Sequence, residues 1–504
     1  MSYKAHRHGQ GESHSGVVPT KRSNAGPGGP KEIVEGRPLT KENTEEPNPY
    51  RTPSRESGSR GLDRVRKAAQ KDKQLRFTAL LHHVTIELLR SSYSDLKRRA
   101  AAGVDGVTWQ AYGEGLEERL ADLHGRIHRG AYHAQPSRRV WIDKADGRKR
   151  PWGIAALEDK IVQAAMVEVL NSIWEEDFLG FSYGFRPGRK QHDALDALYV
   201  GISSQKVNFV LDLDIRSFLD KVGHDHMEKF VRHRIGDERV VRLIRRWWQA
   251  GVMEGGQWYE TQEGTPQGAV ISPLLANLYL HDVLDLWVQA WRKKMAYGDR
   301  IVVRYADDAV LGFQYREDAA RFLGELQERV RKFGLELHPE KTRLLEFGRY
   351  AAERRAKRGE GKPETFNFLG FTHICGRNHE TGYFMVYRKT IGKRMAAKLQ
   401  QIRQQLRAKM HEKTPAIRAW LQSVVRGYFR YHAIPRNEAR LKAFRHAVLR
   451  MWWWQLGRRS QRSRWTWNKF WERLGCLLPE VEILHVYPEV RFAWQHIRGK
   501  NRVR

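Results

Sequence analysis

The stretch VVRYADDAVLGF, residues 302–313, sets two adjacent aspartates, Asp307 and Asp308, inside a run of residues that favour pleated strands. Two carboxylates about 4–5 Å apart repel by roughly 1 kcal/mol in water and several-fold more where solvent is thin. Asp is common in turns for backbone reasons, so the pair alone decides nothing. The run reads as strand, turn, strand, with both acids at the corner.

A second acidic strand changes the weight of the first. In NFVLDLDI, residues 208–215, alternation sends Asp212 and Asp214 to one face and Leu211, Leu213 and Ile215 to the other. If this strand neighbours the Asp307–Asp308 hairpin, three carboxylates converge. Hard oxygen ligands of that kind suit Mg²⁺, which binds through a few carboxylates, waters and substrate phosphates. Two such ions stabilise both the attacking and the leaving oxygen of an in-line phosphoryl displacement. Between the two strands, GTPQGAVISPLLANLYLHDVLDLW reads as a Gly-rich loop and a helix. Ser272 is the expected N-cap and Pro273 the first helical residue, with Leu275, Tyr279, Val283 and Leu286 on one apolar face.

Charge names the partner class. Lys and Arg number 90 against 58 acids, a formal charge of +32, and so large an excess repels itself unless a polyanion is bound. Seventeen Trp, 18 Tyr and 19 Phe offer faces on which bases can stack. Two cysteines, Cys375 and Cys476, are too few for a disulfide framework or a paired-cysteine zinc site. No run approaches the roughly 18 apolar residues of a membrane span, and the N-terminus lacks the apolar core of a secretory signal. A soluble, intracellular, cytoplasmic protein associated with nucleic acid is expected.

Residues 1–58 carry no Trp or Phe and few aliphatics, and read as a disordered arm. Helical periodicity begins near GLDRVRKAAQ and continues through LLHHVTIELLRSSYSDLKRRA, and from Ala101 to about Val207 helices alternate with short strands such as RRVWI. Residues 208–388 are mixed, with VRLIRRWW and DAARFLGELQERVRKFGLEL helical and FNFLGFTHI a strand. Residues 389–460 suggest a three-helix unit. Residues 461–504 interleave Arg and Trp, a pattern that serves equally as a Trp-rich core or as a nucleic-acid face. His224 and His226 in HDHM read as satisfied or exposed histidines, since no third ligand is placed by sequence.

Taken in order, these motifs resemble the reverse transcriptases encoded by group II introns, the intron maturase family. YADD (305–308) resembles their catalytic turn and DIRSFLD (214–220) the strand with the first metal ligand. EGTPQGAVISPLLANLYL (263–280) is similar to the loop and helix that hold template and incoming nucleotide. LHPEKT (337–342) and FNFLGF (366–371) follow in the family's order. Upstream, AGVDGVTW, DKADGRKRPWGI (143–154) and SYGFRPGRKQHDAL (182–195) resemble fingers motifs. Downstream, WLQSVVRGYFRYH (420–432) resembles the thumb, and HVYPEVRF (485–492) the family's ending.

The resemblance implies an α+β right-hand polymerase: fingers over 59–207, a palm with an antiparallel sheet over 208–388, and a helical thumb or maturase domain over 389–460. It implies RNA-directed DNA polymerase activity with two Mg²⁺ ions. Asp214 and Asp307 would bind both, Asp308 would complete the site, and the carbonyl of Ile215 would assist. Lys144 and Arg150 would grip the triphosphate, and Phe218, Leu219 and Gln267 would contact the nucleotide. Lys341 is a candidate acid for the departing pyrophosphate. Arg186, Arg189, Arg426 and Arg430 would contact nucleic acid. The implied partners are group II intron RNA, an RNA template with a DNA primer, target DNA and deoxynucleotides, in a protein that assists splicing and copies its intron into cDNA for retrohoming.

The sequence departs from the pattern in places. Leu219 stands where a second aromatic is usual and commonly excludes a 2′-hydroxyl. GAV (268–270) replaces a pair of glycines and a serine, Trp152 stands for Leu, and Ala309 for Phe. No HNH-type nuclease is expected, because two distant cysteines do not supply its metal site, so second-strand cleavage is not expected either. A splicing-only RNA-binding maturase and a reverse transcriptase domesticated for phage defence or diversification are the competing readings.

Overall fold

A computed structural model describes residues 55–143, 149–261, 263–265, 268–459 and 465–500. Lys144, Gln267 and the arm up to position 54 lie outside the described residues. A helix over Arg55–Lys71 takes in the last positions assigned to the arm. Val65 and Ala69 anchor it by burial against the long helix Leu157–Asp177.

The strands in chain order are β1 (Ser137–Asp143), β2 (Lys149–Ile154), β3 (Phe209–Asp214), β4 (Val252–Glu254), β5 (Gln257–Tyr259), β6 (Arg300–Tyr305), β7 (Asp308–Phe313), β8 (Arg343–Glu346), β9 (Phe366–Phe368), β10 (Phe371–Arg377) and β11 (Phe384–Thr390). They form three sheets with the orders β2-β1-β4-β5, β6-β7-β3-β8 and β11-β10-β9. The second sheet is antiparallel throughout and lies at the centre of the chain's α+β fold.

Both faces of that central sheet are covered, which explains why its strands read as nearly continuous apolar runs. Leu211, Leu213, Val302, Leu311 and Phe313 face one core, shared with the helices Leu157–Asp177, Ser272–Leu280 and Arg316–Arg331. Val210, Ile301, Val303 and Val310 face a second core, closed by the helix Gln191–Ser204 and the β9–β11 sheet. Farther along β3 on this second face, Asp212 and Asp214 remain partly open. A one-residue slip of β3 would drive both acids into the first core, so burial fixes the register.

The helix after the Gly-rich loop begins at Ser272, with Ile271 at the cap position and Pro273 in the first turn. Ser272 therefore sits one residue inside the expected cap. Leu275, Tyr279 and Val283 are buried as their spacing requires, but Leu286 is 45% exposed. Residues His281–Asp285 are π-helical, and the extra residue turns the following side chains by about 100°. The same bulge aims Asp285 into the core. FNFLGFTHI is a hairpin and not one strand: Leu369 and Gly370 both take positive φ, 44° and 82°, between β9 and β10.

The helices Gly392–Ala408, Thr414–His432 and Glu438–Gly457 pack around Leu406, Leu421, Val425, Phe444, Val448 and Trp452. The Arg/Trp-rich segment divides its aromatics. Trp467 and Phe470 join this core, whereas Trp494 is exposed. No helix among the described residues is long and apolar enough to cross a membrane.

Candidate active site

The β6–β7 hairpin turns through Ala306 and Asp307, with Tyr305 paired to Asp308. Ala306 has φ 56°, and Asp307 is not among the positive-φ residues, which is the type II′ pattern usually begun by Gly. A non-Gly residue there stores strain of about 1–2 kcal/mol, a recurring feature of functional corners. β7 lies beside β3 in a register that sets Asp214 directly opposite Asp308. Asp307 occupies the adjoining corner, so Asp214 and the Asp307–Asp308 pair, whose nearer member is 93 positions away in sequence, come to one end of the sheet.

Electrostatics reports the crowding. Asp307 is accessible at the tip of the turn, yet protein surrounds it closely enough that desolvation raises its pKa, with the Asp214 charge adding to the rise. Arg150 on β2 and Lys341 lie near enough to oppose that shift. Burial also pushes Asp212 up to about 6, against the pull of Arg343 at 3.6 Å. Lys341 Nζ donates to Asp214 Oδ2 at 2.8 Å. A cation therefore already rests on the acid assigned as first metal ligand.

The segment bearing Lys341 is tied across the end of β3. His338 N donates to the Asp214 carbonyl at 2.8 Å and Arg216 N to the Glu336 carbonyl at 2.8 Å, flanking an Ile215–Leu337 bridge. Since the Asp214 carbonyl points toward β8, strand alternation turns the Ile215 carbonyl toward β7 and its corner. Leu219 packs beside the Gly-rich loop, its carbonyl accepting from Thr265 N at 2.8 Å. His224 helps hold the same loop, with Nε2 2.7 Å from the Gly264 carbonyl. Gly268, at φ 114°, abuts β2 so closely that a Cβ would lie 2.4 Å from the Gly153 carbonyl and 2.7 Å from the Trp152 ring. The loop and the Arg150 strand are thus joined.

Two expected contacts, those of Phe218 and Arg186, are not available. Phe218 is 3% exposed, packed with Tyr279 in the core, and presents no face to a nucleotide. Arg186 is buried: its guanidinium spans Glu175 at 2.9–3.1 Å and the carbonyls of Leu179 and Ser182, both at 2.8 Å. Arg189 donates to the Gly180 and Ser182 carbonyls, and desolvation pulls its pKa down to about 10. Arg186 braces the loop from within, while Arg189 ties it through one nitrogen and stays partly exposed. Arg426 and Arg430 are exposed on the helix Thr414–His432.

Sequence reasoning passed over the residues behind the corner. Arg304, 1% exposed on β6, pairs with Asp285, fully buried in the π-turn. An arginine within a strand covered on both faces requires a buried acid, and that signal was present in VVRYADD. Among the described residues, no three His, Cys, Asp or Glu side chains are drawn together as a metal cage.

The reverse transcriptase (RNA-dependent DNA polymerase) family profile matches residues 142–373, which span both acidic strands and the Gly-rich loop. The chain is 35% identical over 278 residues to protein YkfC of Escherichia coli, covering 48% of this chain and 72% of that one. It is 30% identical over 303 residues to the group II intron-encoded protein LtrA of Lactococcus lactis, covering 58% of this chain and 50% of LtrA. It also matches a 91 kDa protein in the cob intron of Schizosaccharomyces pombe at 31% over 226 residues, 44% of this chain and 28% of that protein. The chain belongs to the group II intron-encoded reverse transcriptase and maturase family. Membership makes it an RNA-directed DNA polymerase. It spans only half the length of LtrA, so what else LtrA does does not transfer by identity alone.

Proposed function

We propose that this chain extends a DNA primer on an RNA template at the Asp214–Asp307–Asp308 corner, and that it serves a group II intron by binding its RNA, assisting splicing and copying it into DNA for retrohoming. The observation that carries the reading is the register that sets Asp214 against Asp308, with Asp307 at the adjoining turn. The donor set fits two Mg²⁺ ions, because the acids are hard oxygen ligands and Asp307 bears charge at a desolvation cost that a cation would offset. Asp214, Asp307 and Asp308 would hold the ions, with the Ile215 carbonyl beside them. When bound, the ions supply charge stabilisation to the attacking and leaving oxygens.

The remaining roles fall to the chain itself. Arg150, already close to Asp307, is placed to take the triphosphate, a role the sequence resemblance also gives to Lys144. Leu219, beside the Gly-rich loop, borders the nucleotide, a role the sequence resemblance also gives to Gln267. Lys341, whose Nζ lies 2.8 Å from Asp214 Oδ2, would give a proton to the departing pyrophosphate. Residues 59–207, 208–388 and 389–460 act as fingers, palm and thumb, and exposed Arg426 and Arg430 meet phosphate. Extension of a DNA primer on an RNA template with Mg²⁺ tests the reading. Absence of incorporation beside a control enzyme that extends would refute it, and Asp307→Ala with Asp308→Ala should abolish synthesis while leaving splicing assistance.

A further inference from the structure

The corner that carries Asp307 is held from behind by one guanidinium. Arg304 Nε donates to Asp285 Oδ1 at 2.7 Å, and Nη2 to Asp285 Oδ2 at 2.5 Å and to Ser182 Oγ at 2.7 Å. Nη1 donates to the Ala306 carbonyl at 2.8 Å and to Asn277 Oδ1 at 3.2 Å. All five N–H donors of the fork are satisfied inside the core. Asn277 Nδ2 in turn donates to the Gly184 carbonyl at 2.6 Å, and Gly184 lies flat against the backbone of Tyr305 and Ala306. The strained residue of the turn is therefore gripped twice: at its carbonyl by Arg304, and across its amide by Gly184.

The grip draws on two segments besides the hairpin itself. Ser182 and Gly184 lie on a stretch that bridges the edge of β6, where Tyr183 N donates to the Arg304 carbonyl at 2.8 Å and Arg304 N to the Phe181 carbonyl at 2.9 Å. Asn277 stands on the helix after the Gly-rich loop, and Asp285 reaches the arginine because the π-turn brings it inward. We propose that Arg304, Asp285 and Asn277 form a positioning clamp that fixes the Ala306–Asp307 peptide, and through it the direction of the Asp307 carboxylate toward Asp214. Arg304 touches neither substrate nor ion. Its chemistry is that of a rigid bidentate fork, which a lysine does not reproduce.

The clamp rests on the reading of the corner as the polymerase site, and its test is kept separate from turnover. Mn²⁺ binding to the full chain on a dideoxy-terminated primer–template is followed by loss of the free-ion electron paramagnetic resonance signal, with Asp307→Asn marking the site. Asn277→Ala leaves the ion pair whole but strands one Arg304 N–H and the Gly184 carbonyl, so its thermal midpoint should fall slightly; well below that midpoint it should weaken the Asp307-dependent Mn²⁺ site about tenfold, as lost outer partners of metal ligands do, with primer–template affinity unchanged. Arg304→Lys should weaken it further if the chain folds; if it does not, Asn277→Ala carries the test. Unchanged Mn²⁺ affinity, or a loss no larger than the loss of folded protein, overturns the clamp. So does a wild type without an Asp307-dependent site. Failure of the wild type to extend a primer refutes the activity, while the Mn²⁺ comparison still judges the clamp.

Discussion

Gly184→Ala should move the catalytic corner by a known amount. A Cβ built on Gly184 lies 2.3 Å from Ala306 N, 2.9 Å from the Tyr305 carbonyl carbon and 3.1 Å from Ala306 Cα. Ordinary van der Waals contact begins at 3.4 Å, so the two backbones must part by about 1 Å. All three neighbours are main-chain atoms, and no side chain can swing aside. Overpacking of this kind costs about 1–3 kcal/mol, which lowers the melting temperature by only about 1–3 °C in a chain of this size. The effect on rate is larger, because a 1 Å misplacement of a catalytic group costs about 10²-fold. Single-turnover incorporation from a pre-bound primer–template, measured well below the melting transition, should fall about 100-fold. Gly324→Ala, in a helix with open space around the new methyl group, is the control and should leave the rate unchanged. A Gly184→Ala protein that incorporates at the wild-type rate would show that the corner does not depend on this contact.

Asp307→Asn should separate stability from activity. A carboxyl whose folded pKa is raised costs stability as pH climbs from the ordinary value near 4 through the raised one, so at neutral pH without metal the Asn protein should melt no lower than the wild type while incorporation is lost. Arg186→Leu strands Glu175 and should destabilise by about 3–5 kcal/mol, read by denaturant unfolding. Arg426→Ala should instead leave melting unchanged and reduce the slope of log K against log salt for RNA by about one unit. Leu219→Phe should raise the preference for deoxynucleotides over ribonucleotides in incorporation assays, and an unchanged ratio would remove Leu219 from the nucleotide site.

What could be read from sequence was whatever depends on local period and on charge out of place. The alternation of NFVLDLDI put Asp212 and Asp214 on one face, and β3 keeps them there because Leu211 and Leu213 need the opposite core. Leu286 was misplaced because spacing arguments assume 3.6 residues per turn, and nothing in HDVLD announces a π-turn. An outward Arg186 is the natural reading of a sequence, which shows charge but not enclosure. Its partners, Glu175 and the carbonyls of Leu179 and Ser182, become neighbours only once the loop folds back on the helix Leu157–Asp177. Phe218 failed for the same reason, since its position beside the first acid says nothing about which side of the sheet it fills.

The misplaced helix face and the overlooked arginine have one origin. Had the helix after the Gly-rich loop stayed regular, Leu286 would be buried and Asp285 turned from Arg304, leaving a guanidinium without its acid inside a dry core. The π-turn therefore gives up burial of one leucine, about 1.5–3 kcal/mol, and supplies the bidentate acid without which Arg304 could not be enclosed. Three unfavourable features then coincide over four residues: a buried cation at 304, a left-handed alanine at 306 and a desolvated carboxylate at 307. None of them is needed to hold the sheet, whose two cores are apolar and closed elsewhere. Folding alone does not account for their concentration; the need to aim one charged side chain at another does.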